Sequence, residues 1–246
     1  MLDGAMHDDD RPLGRLLSRR ETLALLGAGG VAALAAWPRS SVAAAATGPC
    51  VARPALTEGP YFVDEQLDRS DIRSDPADGS VRPGAPLRLT LRVSRLAGGA
   101  CQPLAGARVD LWHCDAAGVY SDVADRGGST VGRKFLRGYQ LTDAEGATRF
   151  TTIYPGWYPG RAVHIHFKVR AAAPGGRVHE FTSQLFFDDA LSEQVFAQPP
   201  YAARSRGRVS NGRDGIYRQA GAQLMLAVAP AAPGYAASFD LALQTA

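Results

Sequence analysis

Hydrophobic and polar residues alternate one by one from Leu87 to Ser94. Leu87, Leu89, Leu91 and Val93 fall on one side, with Arg88, Thr90, Arg92 and Ser94 on the other. A period of two marks a strand with one buried face. The same pattern returns at Val163, Ile165, Phe167 and Val169, which alternate with His164, His166 and Lys168. Further strands are predicted over Ala107–Cys114, Leu136–Leu141, Thr148–Ile153, Glu180–Phe187, Leu224–Val228 and Ser238–Leu243. Leu96–Ala100 reads as a Gly-rich turn, and Thr142–Gly146 as a hairpin-like turn. Asp188–Phe196 fits a short helix, and residues 197–218 fit a loop. Residues 47–86 are rich in Gly and Pro and weakly periodic, which predicts an ordered arm. Many short strands without a long amphipathic helix predict an all-β fold, a sandwich or barrel, with a loop-rich N-terminal arm and few short helices.

The first 46 residues break this pattern. Arg19 and Arg20 precede an apolar run, Leu23–Ala36, and a small-residue stretch, Ser40–Ala46, with A-x-A cleavage positions. This is the layout of a signal peptide, and the run is too short to span a membrane. The paired arginines predict the twin-arginine route. Residues 1–46 are therefore expected to be removed, leaving 47–246 as one exported catalytic domain, periplasmic or extracellular, without stable membrane insertion. In an oxidising compartment Cys50–Cys101 is the expected disulfide, because Cys114 belongs to a strand beside the candidate site.

Composition changes this picture little. The 246 residues are 46% hydrophobic and carry a net charge of +3. That balance is too small to imply a nucleic-acid partner, and no basic run is interleaved with aromatics. Phosphate-binding and dinucleotide fingerprints are absent.

The candidate chemistry lies around Tyr154–Val169. Side chains at i and i+2 share a strand face about 6.5–7 Å apart, so His164 and His166 can meet at one ion. Tyr158 is presented by a turn built from Pro155, Gly156, Pro159 and Gly160, with Arg161 just after it. A second strand, ending at Trp112-His113-Cys114-Asp115, leads into a turn that presents Tyr120. From the residues alone the metal stays open. His113, Cys114 and Asp115 offer zinc ligands to His164 and His166, and Tyr120 and Arg161 also suit packing or a surface ion pair.

Several segments together resemble the intradiol ring-cleavage dioxygenases, the group that includes catechol 1,2- and protocatechuate 3,4-dioxygenases. They include Thr57-Glu58-Gly59-Pro60-Tyr61, Gly106–Asp115, Gly118–Ser121, Leu136-Arg137-Gly138, Phe150–Ile153, Pro155–Tyr158, Arg161–Phe167 and Ser183–Phe187, in the family's order. The resemblance implies a β-sandwich, also seen in transthyretin-like carriers, and a mononuclear Fe(3+) held by Tyr120, Tyr158, His164 and His166. Phenolate oxygen is a hard anionic donor that suits ferric iron. It further implies a catechol-type substrate and O2 as partners, with ring opening to a cis,cis-muconate-type dicarboxylate. Tyr158 is the implied ligand that substrate displaces and that takes a substrate proton. Arg161 is implied to stabilise charge on the ring, and Gln184 to order the pocket. Tyr61, Asp110 and Trp112 are expected near that pocket, Trp112 by packing, and His113 and His179 are expected to serve structure.

This sequence departs from the better-known members in two places. The gap between Tyr158 and Arg161 is short, and the helical dimerisation region of the catechol branch is missing, which leaves any homo-oligomer to another surface. Two rival readings remain, a non-catalytic transthyretin-like binding module and a zinc hydrolase using His164, His166 and Asp115.

Overall fold

A computed structural model of the chain describes residues 51–97, 99–125, 128–204 and 206–244. The expected signal peptide and Cys50 lie outside these residues. The strands are β1 (Pro86–Ala97), β2 (Ala100–Pro103), β3 (Arg108–Trp112), β4 (Ala124–Asp125), β5 (Gly128–Ser129), β6 (Arg137–Leu141), β7 (Ala147–Ile153), β8 (His164–Ala172), β9 (Val178–Phe186), β10 (Ala227–Pro230) and β11 (Tyr235–Leu243). Two short helices are α1 (Asp189–Phe196) and α2 (Tyr217–Ala220). Helix α1 starts where predicted because the Asp188 side chain accepts a hydrogen bond from the Leu191 amide, satisfying one of the free N–H groups of the first turn.

One sheet runs β10–β11–β1, with β7 and β2 sharing the far edge of β1; the other runs β6–β3–β8–β9. β1 pairs in parallel with β11 and antiparallel with β7 and β2. The alternation read from the sequence is realised between the sheets. Leu87, Leu89, Leu91 and Val93 share one buried core with Val109, Leu111, Ile165, Phe167 and Val169. The all-β sandwich is thus the observed architecture.

Two local expectations differ. β1 extends through Ala97 and β2 starts at Ala100, so the predicted turn over Leu96–Ala100 is mostly hairpin strand. Cross-strand hydrogen bonds from Arg95 to the Gln102 side chain support it. The strand predicted over Leu224–Val228 is divided. Met225 bridges Phe186, and the Leu226 amide donates to the Phe186 carbonyl at 2.8 Å, so this part extends the second sheet before β10 joins the first.

The outer face of the second sheet positions the site. Register places Arg137, Trp112, His166 and Gln184 side by side across β6, β3, β8 and β9. The next same-facing row is Tyr139, Asp110, Lys168 and Thr182, and the one after it Leu141, Arg108, Arg170 and Glu180. The N-terminal arm covers this polar face. It hydrogen-bonds to β9 through the Leu56 amide on the Thr182 carbonyl, and to β6 through Leu67 and Arg69 at Tyr139. Phe62 of the arm packs on Trp112 with ring centroids 4.8 Å apart. The arm therefore pairs both sheet edges, which would otherwise be open to another strand.

Candidate metal centre

His164 and His166 open β8 on the covered face, and both are buried. The Trp112 ring lies flat on the His166 imidazole, centroids 5.0 Å apart and planes 10° apart. The His164 Nδ1–H donates to the Ala162 carbonyl at 2.7 Å. That bond fixes the tautomer and leaves the Nε2 lone pair free to bind a cation. Burial holds the pKa of both imidazoles well below the usual histidine range, so both are neutral at neutral pH.

Tyr120 and Tyr158 come from two turns packed back to back. In the first, Asp115 Oδ1 accepts from the amides of Ala117 and Val119 at 2.9 and 3.0 Å. Arg137 fastens the end of that turn by donating to the Ser121 carbonyl and side chain, and it also donates to the Tyr61 carbonyl. In the second, the Gly156 amide donates to the Asp115 carbonyl at 3.1 Å. Gly118 has φ +79°, and a Cβ there would stand 2.1 Å from the Trp157 carbonyl oxygen. A Cβ on Gly156 would stand 2.3 Å from the Asp115 carbonyl oxygen. Only glycine permits this approach from both sides.

The four donors converge. His164 Nε2 lies 3.0 Å from His166 Nε2, 3.3 Å from the Tyr158 hydroxyl and 3.5 Å from the Tyr120 hydroxyl. Donors bound about 2.1 Å from one ion are separated by roughly 3 Å at right angles. With its proton on Nδ1, His164 directs its Nε2 lone pair at the Nε2 of His166, 3.0 Å away. A cation between the rings accepts a lone pair from each Nε2. Burial raises the pKa of both phenols above the usual tyrosine range, against the opposing pull of Arg161. The bare site thus keeps them neutral, and ionising them needs a nearby positive charge of the size a metal brings. Two hard oxygen donors and two imidazoles fit ferric iron.

Arg161 and Gln184 belong to the same cluster. Arg161 Nη1 lies 3.3 Å from the Tyr158 hydroxyl and 3.4 Å from His164 Nε2, and Nη2 donates to Gln184 Oε1. The Gln184 amide donates to the Thr57 carbonyl of the arm at 2.9 Å. Burial alone would lower the Arg161 pKa; the charge and hydrogen bond of Asp214 oppose it and help keep the guanidinium charged. Asp214 carries no signal in the sequence: it sits in a loop without periodicity and accepts from Arg161 only in the folded chain.

Other expectations fall elsewhere. Asp110 is not at the pocket; it pairs with Arg108 further along the sheet. Asp115 serves its own turn and faces Arg82 at 3.9 Å. Among the described residues no three His, Cys, Asp or Glu side chains group to hold a metal, which removes the zinc site of His164, His166 and Asp115. His113 is structural, donating from Nδ1 to the Cys114 carbonyl and meeting the Thr152 hydroxyl at Nε2. Cys114 is free and buried, with burial pushing its thiol up, and Cys101 is disulfide-bonded.

A cleft of about 620 Å³ opens onto the tyrosines. Tyr61, Tyr120, Tyr158, Val119, Val123 and Pro159 are among its walls. Tyr61 stacks on Tyr120 with centroids 4.3 Å apart. Pro159 and Gly160 are exposed, so the short Tyr158–Arg161 connection leaves this side of the cleft open.

Comparison with known proteins identifies relatives of this arrangement. A family profile described as "Dioxygenase" matches residues 57–208. The beta chain of protocatechuate 3,4-dioxygenase from Burkholderia cepacia is 32% identical over 151 residues, covering 56% of this chain and 63% of the relative. The chain thus spans a little under two thirds of that relative. Among solved structures, an intradiol ring-cleavage dioxygenase from Tetranychus urticae is 31% identical with a TM-score of 0.69, covering 80% of this chain and 96% of that one. The dioxygenase domain of a dioxygenase and carbohydrate-binding fusion from Streptomyces sp. SirexAA-E is 32% identical with a TM-score of 0.55, covering 80% and 100%.

Proposed function

We propose, from the premise that this chain belongs to the intradiol ring-cleavage dioxygenase family, that it is an exported Fe(III) enzyme that cleaves a catechol-type ring with O2 to a cis,cis-muconate-type dicarboxylate. The observation that carries the proposal is the approach of three donors, from Tyr120, Tyr158 and His166, to within 3.0–3.5 Å of His164 Nε2. Tyr120, Tyr158, His164 and His166 are the residues that would hold the iron. When bound, ferric iron supplies Lewis acidity that favours an ionised catechol and prepares its ring for dioxygen.

The residues of the chain supply the rest. Tyr158 Oη stands at the cleft wall beside Arg161 and is placed to take a proton from an entering substrate hydroxyl. Arg161 brings a fixed, buried positive charge to the same point, where it favours an anionic substrate and charge developing on the ring. Gln184 orients the guanidinium from β9, and through Thr57 links it to the arm. Trp112 and Phe62 wall the imidazoles from the opposite side and exclude water there. The extent of the domain, 47–246, and its export by the twin-arginine route after removal of residues 1–46 are parts of the same proposal.

Oxygen uptake by the iron-loaded protein over a panel of catechols tests it. Uptake matched one-to-one by a muconate-type product is the expected result. The loaded protein should also absorb visible light through its phenolates, with a changed spectrum in Tyr158→Phe. A colourless iron-loaded protein would sink the ligand assignment, and no uptake with any catechol would return the chain to a non-catalytic binding module.

A further inference from the structure

Asp214 is fully buried and stands six residues beyond the stretch that the family profile matches. Its carboxylate accepts four hydrogen bonds. Oδ2 takes the Arg161 Nε–H at 3.0 Å and the Ala162 amide at 2.7 Å. Oδ1 takes the amides of Ile216 and Tyr217 at 2.7 and 3.1 Å. Three of the four donors are backbone, so the carboxylate is held still from two segments, one ending at His164 and the other opening α2. A second buried guanidinium near the site, Arg137, is held differently: it donates to the Ser121 and Tyr61 carbonyls and to the Ser121 hydroxyl. Asp214 is thus the carboxylate that fixes a cation of the site.

The geometry points to Asp214 as a positioning residue for ring cleavage, an inference that rests on the functional reading above. A guanidinium gripped at Nε by a rigid carboxylate and at Nη2 by Gln184 has one edge left, and that edge, Nη1, faces the Tyr158 hydroxyl and His164 Nε2. Planar fork geometry converts two grips into a fixed direction for the third donor. Without Asp214, Arg161 keeps its contact to Gln184 but loses the grip at Nε that sets its direction. The expected loss is therefore in the chemical step, where misplacement of a charged group by about 1 Å costs on the order of a hundredfold, and much less in substrate binding.

Two measurements on Asp214→Asn test this. In iron-free protein, the Arg161 Nε–H should give a slowly exchanging ¹⁵N resonance, assigned by its absence in Arg161→Gln, and Asp214→Asn should abolish that protection. In iron-loaded enzyme, Asp214→Asn should lower kcat for catechol roughly tenfold to a hundredfold while KM moves less than about threefold. In an Arg161→Gln background the same substitution should cost less than about twofold, because the residue it acts through is gone. An unchanged Arg161 resonance, or an equal loss in both backgrounds, would overturn the inference. Should Asp214→Asn fail to fold, Asp214→Glu takes its place; it keeps the charge but shifts it by one methylene, and should lower kcat by about tenfold with the same dependence on Arg161. No turnover of any catechol by the wild-type enzyme defeats the functional reading itself. Turnover that Asp214→Asn leaves intact defeats only the role of Asp214.

Discussion

One face of β8 carries two polar clusters, one buried and one partly buried, that differ in how their charges are settled. At its start, His164 and His166 face the Tyr120 and Tyr158 phenols and a guanidinium, and among the described residues no carboxylate hydrogen-bonds to these imidazoles or phenols. Further along, Lys168 pairs with Glu58, Arg170 with Asp64 and Glu180, and Arg108 with Asp64 and Asp110. Phe62 of the arm lies beneath both Lys168 and Arg170. The second cluster sets opposite charges against one another. The first has converging lone pairs and protonated phenols that no described carboxylate neutralises. Burial alone therefore does not separate structure from function here; internal pairing does. A group paired with an opposite charge of the chain is holding the fold, and one whose lone pair converges with others on a single point is built for something that binds.

Substitutions in the two clusters should fail in different ways. The largest effect is expected from His166→Ala, which should reduce bound iron, measured by elemental analysis, by more than the roughly hundredfold that a lost outer partner of a metal ligand costs. Oxygen uptake should fall with it, while the urea midpoint of the iron-free protein stays near that of the wild type or rises. If iron content is unchanged, the contrast between the clusters collapses. Arg108→Ala should do the reverse. It leaves Asp110 and Asp64 short of a cation and should cost about 2–3 kcal/mol of stability in urea unfolding, with iron content and KM retained.

An effect confined to acid pH follows from His113, which lies behind the site. Burial lowers its pKa to about 4 from the ordinary 6.5. The unfolded chain thus binds this proton more readily, and stability is fully present above pH 6.5 and is lost as pH falls toward 4. The slope is about 1.4 kcal/mol per pH unit for one such proton. In iron-loaded protein, His113→Gln should flatten urea stability by about one proton across that window; an unchanged slope would mean that His113 is not the group responsible. The smallest change is expected at the exposed Arg92–Asp240 pair, where side chains are 52% and 53% accessible. Arg92→Ala should shift stability by less than about 0.5 kcal/mol, which sets the baseline against which the buried network is judged.

Much of this architecture is legible in the sequence because it is periodic. The alternation at Leu87–Ser94 and at Val163–Val169 specifies two strands and which side of each is buried, and the His-x-His pair lands on the covered face as spacing requires. Tyr120, Tyr158, Arg161 and Gln184 were reached by resemblance, and the fold brings them to one place. What could not be read depends on distant contacts. Asp214 lies in a polar loop and gains meaning only from Arg161, 53 residues earlier. Asp110 is expected near the pocket from the sequence, but the register carries it one row further along the sheet, to Lys168 instead of His166. Met225 and Leu226 have the apolar character of a strand, yet the end of β9 claims them first.

The parallel pairing of β1 with β11 sets the order in which this molecule can come into being. Leu87 meets Tyr235 and Arg95 meets Leu243, roughly 150 positions away, a separation that slows folding because the intervening loop must close before the contact contributes. During synthesis β8 and both tyrosine turns leave the ribosome well before β11 exists. The first sheet is then still missing the neighbour that covers one edge of β1, and the core beneath His164 and His166 is unfinished. The site above this core is settled only once β11 has paired with β1, so its assembly waits on a strand that follows β8 and both tyrosine turns in the chain.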